Sequence, residues 1–150
     1  ILTAPEYVDI AVEEHLCSNA EYTAVCGLPV GMDREVIKTS ALQWIHKNAA
    51  DLSKTEYMTW FLDDPARLRC KWIEAPRSHY RPSYRLTLDT KVDFDLIEGI
   101  LQQLVPSNLH LDTSPIISLL DERRDKSPKP QGGLPISRKL INTTIKWNHF

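Results

Sequence analysis

The stretch "YRLTLDTKVDFDLIEGILQQL", Tyr84 to Leu104, changes from one secondary-structure pattern to another within a few residues, and this change most constrains the fold. Its first part is rich in residues with high strand propensity and ends at Asp89. Its second part has apolar residues at helical spacing, namely Leu96, Ile97, Ile100, Leu101 and Leu104. The pattern predicts a strand over Tyr84–Leu88 followed directly by a helix over Val92–Leu104.

Strand and helix patterns alternate along the rest of the chain as well. The segment "EYTAVCGLPVGMDREVIK" predicts a short strand, a turn-rich loop and a second strand over Met32–Ile37, and "RLRCKWIEA" predicts another strand. A first helix is predicted up to about His15, with an inward face made of Val8, Ala11, Val12 and Leu16. This alternation predicts an α/β fold in which helices pack on a mixed sheet.

Beyond Val105 the composition changes. "TSPIISLLDERR" predicts one more helix, with Ser114 as its N-cap and Pro115 at its first position. "DKSPKPQGGLP" has the composition of a linker, and a short tail follows it. The sequence therefore predicts a compact part over residues 1–105 and a helix, linker and tail of unknown role over residues 106–150.

Charge, hydropathy and cysteine usage narrow the class of protein. The formal net charge of -2 argues against a dedicated nucleic-acid binder, which usually carries a basic excess. The apolar runs are shorter than the roughly 20 residues needed to span a bilayer, so no membrane partner is expected. The three cysteines lack CxxC spacing, which favours free thiols and a cytoplasmic location.

Asp89 is the first candidate for chemistry. It follows the predicted strand Tyr84–Leu88, and ligands of α/β sheets bind beyond the carboxyl ends of strands. A carboxylate there suits Mg²⁺, which takes one or two carboxylates together with phosphate oxygens and water. The alternative is helix capping, by Asp89 itself or by the Thr-x-x-Asp box of Thr90 and Asp93. The local sequence leaves both interpretations open, and they can coexist.

The segment "GLPVGMDREV" is the second candidate. Gly27 and Gly31 allow a close approach of the backbone, and Asp33, Arg34 and Glu35 offer charges to a polar ligand. A plain connection between two strands is the alternative interpretation. The segment is not a Walker A loop, because no Lys-Ser/Thr pair follows its second glycine.

A set of basic residues is the third candidate, and it consists of Arg77, His79, Arg81 and Arg85. Guanidinium groups suit carboxylates and phosphates, although a solvated loop would have the same composition. The five histidines form no HExxH motif, so a zinc site is not expected.

Three segments in series resemble the motifs of the cytidylyltransferases that make CMP-activated sugar acids. They are "LPVGMDREVIKTSAL", "KTEYMTWFL" and "YRLTLDTKVDFDLIEGI". The matching residues are Gly31, Asp33, Glu35, Val36, Glu56, Thr59, Arg85, Leu86, Thr87, Asp89, Thr90 and Asp93. The chain is most similar to the spore coat polysaccharide biosynthesis F branch, which is related to acylneuraminate and Kdo cytidylyltransferases. Tyr57 stands where that branch has a histidine.

The resemblance implies the C-terminal lobe of a Rossmann-like nucleotidyltransferase fold, with CTP and a sugar acid as substrates. It implies that the substrate-binding residues are Gly31, Asp33, Glu35 and Arg85, and that Asp89 is a ligand of Mg²⁺. The glycine-rich nucleotide loop and the first metal aspartate of the family have no counterpart here. We therefore expect the 150 residues alone to be inactive and the complete protein to be a homodimer.

Two other interpretations stay open at this point. One is a non-catalytic dimerisation or interaction module that has the same fold. The other is an unrelated α/β domain in which Asp89 only caps a helix.

Overall fold

A computed structural model of the protein describes residues 2, 4–52, 58–106 and 112–123. Its elements, in chain order, are α1 (Pro5–Cys17), β1 (Tyr22–Cys26), β2 (Glu35–Ile37), α2 (Thr39–Asn48), α3 (Thr59–Leu62), β3 (Cys70–Glu74), α4 (Lys91–Leu104) and α5 (Thr113–Glu122). Helices and strands alternate over most of this order, as the sequence predicts.

The three strands form one mixed sheet in the order β2-β1-β3. Strand β1 is antiparallel to β2, with Ala24 opposite Glu35. It is parallel to β3, with Cys26 opposite Glu74. The α/β prediction with a mixed sheet is therefore confirmed.

Helices cover both faces of this sheet. Successive side chains of a strand point to opposite faces, so each face has its own apolar side chains to bury. Val25 belongs to a hydrophobic cluster with residues of α1, α4 and α5. Tyr22 and Ala24 belong to a second cluster with residues of α2 and α3. The sheet is thus the middle of three layers, with one apolar core on each of its faces.

Helix α5 packs in the same core as the first part of the chain. Ile116 and Leu120 lie in the cluster that contains Tyr7 and Ile100. Within the described residues, the predicted division after residue 105 does not separate two hydrophobic cores. The helix starts at Thr113 with Asp112 as its N-cap, so the prediction of Ser114 as the cap is wrong.

Helix α1 buries a different face from the predicted one. Its buried residues are Tyr7, Ala11 and His15. Val8, Val12 and Leu16 are exposed, to 41%, 41% and 71%. Of the residues predicted to face inward, only Ala11 is buried. The helix is rotated because Tyr7 and His15 have hydrogen-bond partners inside the protein, with His79 and Thr23 respectively.

The predicted strand over Tyr84–Leu88 is not a regular strand. It makes a single parallel bridge, between Arg85 and Val30. The pairing stops there because Gly31, at φ +98°, turns the partner segment away. The other predicted strand, Met32–Ile37, is shortened to Glu35–Ile37.

Two further observations concern the class of protein. In the part of the chain that the structure describes, no helix is long and apolar enough to cross a membrane. Cys17, Cys26 and Cys70 are free thiols, as predicted.

Candidate functional site

Two loops meet beyond the carboxyl ends of the parallel strands. One follows β1 and the other connects β3 to α4. The backbone N–H of Val30 donates to the carbonyl of Tyr84 at 2.8 Å, and the N–H of Leu86 donates to the carbonyl of Val30 at 2.8 Å. Ligand sites of α/β sheets lie at this edge. The first and third sequence motifs are therefore brought side by side where a site is expected.

Gly31 is the point of closest approach between the two loops. Its φ of +98° lies in the region that favours glycine. A Cβ atom built on Gly31 would lie 2.9 Å from the backbone of Leu86 and of Thr87. Both the conformation and the spacing therefore require glycine, which gives the Gly31 prediction a structural cause.

Glu35 connects the first motif to the second. It is the first residue of β2, and its Oε1 accepts a hydrogen bond from the hydroxyl of the buried Tyr22. The Thr59 hydroxyl lies 3.4 Å from the same oxygen. Glu56 and Tyr57, the other motif positions in this region, lie outside the described residues.

Asp33 has the most perturbed carboxylate of this edge. The residue is exposed to solvent, yet the surrounding protein desolvates the carboxylate and raises its pKa to about 6. The negative charge of Glu35 adds to the rise in pKa, while Arg34 and the Gly31 backbone amide oppose it. A carboxyl group with a pKa in this range can exchange a proton near neutral pH.

Asp93 organises the start of α4. Its carboxylate is buried and accepts hydrogen bonds from the Thr90 N–H at 2.9 Å and from Arg85 Nε at 3.2 Å. The Thr90 hydroxyl in turn accepts from the Asp93 N–H, which completes a capping box. The Arg85 guanidinium, followed by the amide and hydroxyl donors, lowers the pKa of Asp93 to about 2. The hydrogen bonds of Arg85 with Asp93, and then with Asp89, raise the pKa of Arg85.

Asp89 is not the cap of this helix, because Thr90 and Asp93 fill that role. Its side chain is 64% exposed and forms an ion pair with Arg85. No group of three or more His, Cys, Asp or Glu side chains among the described residues is arranged to hold a metal ion. At Asp89 the described residues thus present one exposed carboxylate, whereas a site built from protein ligands alone would need several.

The candidate residues form two groups on either side of Gly31. Asp33 and Glu35 interact electrostatically, and Glu35 lies close to Thr59. Arg85 and Asp89 are paired at the start of α4. Arg85 is thus held by protein carboxylates, which leaves it less available to a ligand than the sequence suggests.

Sequence reasoning missed the partners of the basic loop. Arg81 forms a bidentate pair with Asp121, at 2.9 and 2.7 Å. His79 lies between Tyr7 and Ser114, at 2.8 and 2.7 Å. These partners are far away in sequence, and no local pattern indicates them.

Comparison with known proteins gives two sequence relatives. The spore coat polysaccharide biosynthesis protein SpsF of Bacillus subtilis (strain 168) is 30% identical over 123 residues, which are 81% of this chain and 51% of that protein. The uncharacterized protein MJ1063 of Methanocaldococcus jannaschii is 30% identical over 122 residues, which are 81% of this chain and 49% of that protein. The chain spans about half the length of these curated relatives. No protein-family model matches it.

A solved structure with the same fold is that of a cytidylyltransferase from Leptospira borgpetersenii. The TM-score is 0.67 at 19% sequence identity, and the match covers 87% of this chain and 56% of that one. The chain therefore shares the fold of that cytidylyltransferase. The sequence relationship to SpsF and the fold shared with that cytidylyltransferase both support the resemblance to the cytidylyltransferases.

Proposed function

We propose that this chain is part of a nucleotidyltransferase that transfers CMP from CTP to a sugar acid for surface polysaccharide biosynthesis. The relationship to SpsF and the cytidylyltransferase fold support this proposal. The observation that carries it is that the described parts of the three sequence motifs lie next to one another at one sheet edge. Gly31 packs on the Leu86 backbone, and Glu35 lies next to Thr59.

The proposed reaction is attack of a sugar-acid hydroxyl on the α-phosphorus of CTP. A new oxygen–phosphorus bond forms, the bond between the α-phosphorus and the bridging oxygen breaks, and pyrophosphate leaves. The hydroxyl proton needs an acceptor, and Asp33, with a pKa of about 6, is suited to receive it. Glu35 is held by Tyr22 and Thr59, so it can accept hydrogen bonds from sugar hydroxyls in a fixed orientation.

Asp89 is the residue that we propose for Mg²⁺, together with the phosphates of the nucleotide. When bound, the ion would neutralise phosphate charge in the transition state. Arg85 lies beside this carboxylate and fixes its orientation through the ion pair.

The test uses the complete natural protein with CTP, Mg²⁺ and a panel of sugar acids, and it measures both CMP-sugar and pyrophosphate. We expect turnover in the wild type and at least a hundredfold loss of kcat in Asp89→Asn with an unchanged melting temperature. Glu14→Gln, which removes an exposed ion pair to Lys71 on β3, is the control and should keep full activity. No product with any sugar acid, together with no binding of CTP, would contradict the proposal.

A second candidate function is a non-catalytic dimerisation or interaction module with the same fold. The exposed apolar residues Val8, Val12 and Leu16 on one side of α1 favour it. This candidate predicts a dimer that dissociates in Leu16→Glu. The same variant distinguishes the two candidate functions. A non-catalytic module would lose its whole function on dissociation, whereas a dimeric enzyme would not lose all of its function.

A further inference from the structure

Helix α5 contacts the loop between β3 and α4 at two points. Near the start of the helix, Ser114 Oγ lies 2.7 Å from His79 Nε2. Near its end, Asp121 accepts two hydrogen bonds from Arg81, at 2.9 and 2.7 Å. Ser114 and Asp121 are two helical turns apart and lie on the same side of α5. The helix therefore holds the loop by one continuous face.

The second contact reaches the candidate site through Tyr84. The Tyr84 hydroxyl donates to Asp121 at 2.6 Å, while the Tyr84 carbonyl accepts from the Val30 N–H at 2.8 Å. Arg85 follows directly in the chain. Asp121 thus holds the residue whose backbone joins the two loops of the site.

Helix α5 is fixed independently of this loop. Ile116 and Leu120 are buried in the core. Arg123 donates to the Gly99 carbonyl of α4 at 3.0 Å. A helix that is anchored elsewhere can restrain a loop, whereas a helix held only by the loop would move with it.

We propose that Asp121 is a positioning residue, which aligns Arg85 and Asp89 by holding Arg81 and Tyr84. The bidentate geometry of its pair with Arg81 restricts the loop in direction as well as distance. The effect on catalysis rests on the function proposed above. The restraint of the loop does not depend on that function and can be measured separately.

Amide hydrogen exchange of the Val30 and Leu86 N–H groups in the complete protein measures the restraint. We expect Asp121→Asn to accelerate both by about fivefold, the factor typical of one lost hydrogen bond. Tyr84→Phe, which removes a single hydroxyl and leaves the core intact, should accelerate the Val30 N–H as well. The Val25 N–H of β1, bonded to the carbonyl of Arg34 directly before β2, is the internal reference. Rates equal to those of the Glu14→Gln control would overturn the proposal.

Kinetics measure the positioning role. Asp121→Asn should lower kcat about tenfold and leave the KM for CTP near the wild-type value, since the substrate would still bind but next to misaligned groups. Asp121→Glu keeps a carboxylate and should recover part of kcat. Faster exchange with an unchanged kcat would reject the positioning role. A wild type that transfers no CMP would refute the proposed function, and hydrogen exchange would still decide whether Asp121 restrains the loop.

Discussion

Arg85 donates to both carboxylate oxygens of Asp93, at 3.2 and 3.4 Å, so the guanidinium closes over a buried carboxylate at the start of α4. The same guanidinium pairs with the exposed Asp89. A structural carboxylate and a candidate ligand therefore share one arginine. The chemistry of Asp89 and the stability of the helix start are linked through this contact.

Asp93→Asn should lower the free energy of unfolding at pH 7 by on the order of 2 kcal/mol, because it removes the charged partner of Arg85. The pKa of Asp93 is lowered from 3.8 to about 2 in the folded protein. Its stabilisation is therefore complete above about pH 4 and is lost as the pH falls toward 2. Urea unfolding of both proteins between pH 5 and pH 2 checks this. An equally steep loss of stability in Asp93→Asn over this pH range would contradict the prediction.

Thr90→Ala should lower the free energy of unfolding by about 1 kcal/mol, the usual effect of removing an N-cap side chain. Asp89→Asn should change it by less than about 0.5 kcal/mol, because its ion pair is exposed to solvent. Thermal or urea unfolding of the two variants compares them directly. A larger loss of stability in Asp89→Asn than in Thr90→Ala would show that Asp89 is the cap.

Asp33→Asn should stabilise the protein at pH 7 to 8 by about 1 kcal/mol or less, because the carboxylate is partly desolvated but still reached by water. The pKa of Asp33 is raised from 3.8 to about 6, so its ionisation destabilises the folded state as the pH rises through this range. The Asp33→Asn variant should lack this loss of stability with rising pH. If Asp33 is the proton acceptor, the more stable variant will also be the less active one.

His15→Gln should remove a loss of stability that the wild type shows on acidification. His15 is buried with its Nδ1 2.9 Å from Thr23 Oγ1, and burial followed by the charge of Lys38 lowers its pKa from 6.5. The unfolded chain therefore binds a proton more readily, and stability decreases as the pH falls below about 6.5. His46→Gln, at an exposed position of α2, is the control. Both variants are made in the Asp33→Asn background. The slope of the unfolding free energy against pH is then compared between them.

Gly31→Ala should destabilise the protein by about 2 kcal/mol or more, since a positive φ and a backbone contact at 2.9 Å act together. Gly99→Ala is the matched control. Gly99 lies within α4, and a Cβ there would lie 3.1 Å from Arg123 Nη1, the flexible end of a side chain. The control should be neutral or slightly stabilising. Similar losses in both variants would show that Gly31 has no special role.

The sequence predicts best those features that local chemistry determines. The capping box of Thr90 and Asp93 and the apolar stripe of α4 are confirmed, because each depends on neighbours within one or two turns. The face of α1 was predicted wrongly. The apolar residues of α1 lie on the side of the helix next to its buried side. Periodicity cannot anticipate that Tyr7 and His15 have hydrogen-bond partners outside the helix.

The same distinction applies to the site. Gly31 and Asp33 were identified from their types and spacing, and the structure gives a cause for the first and a perturbed pKa for the second. Asp121 was not identified, since its contact with Arg81 joins residues 40 positions apart. The assignment of Asp89 to Mg²⁺ remains a prediction, and the structure adds its ion pair with Arg85.

The junction between Val30 and Tyr84 also has a consequence for the order of folding. It lies beyond the ends of β1 and β3, which pair in parallel across the whole of residues 27–69. Parallel pairing over such a distance forms slowly, because the chain must first close a long loop. The two halves of the site should therefore come together only in the last stage of folding. Until this step is complete, the loop after β1 and the loop after β3 would lie apart.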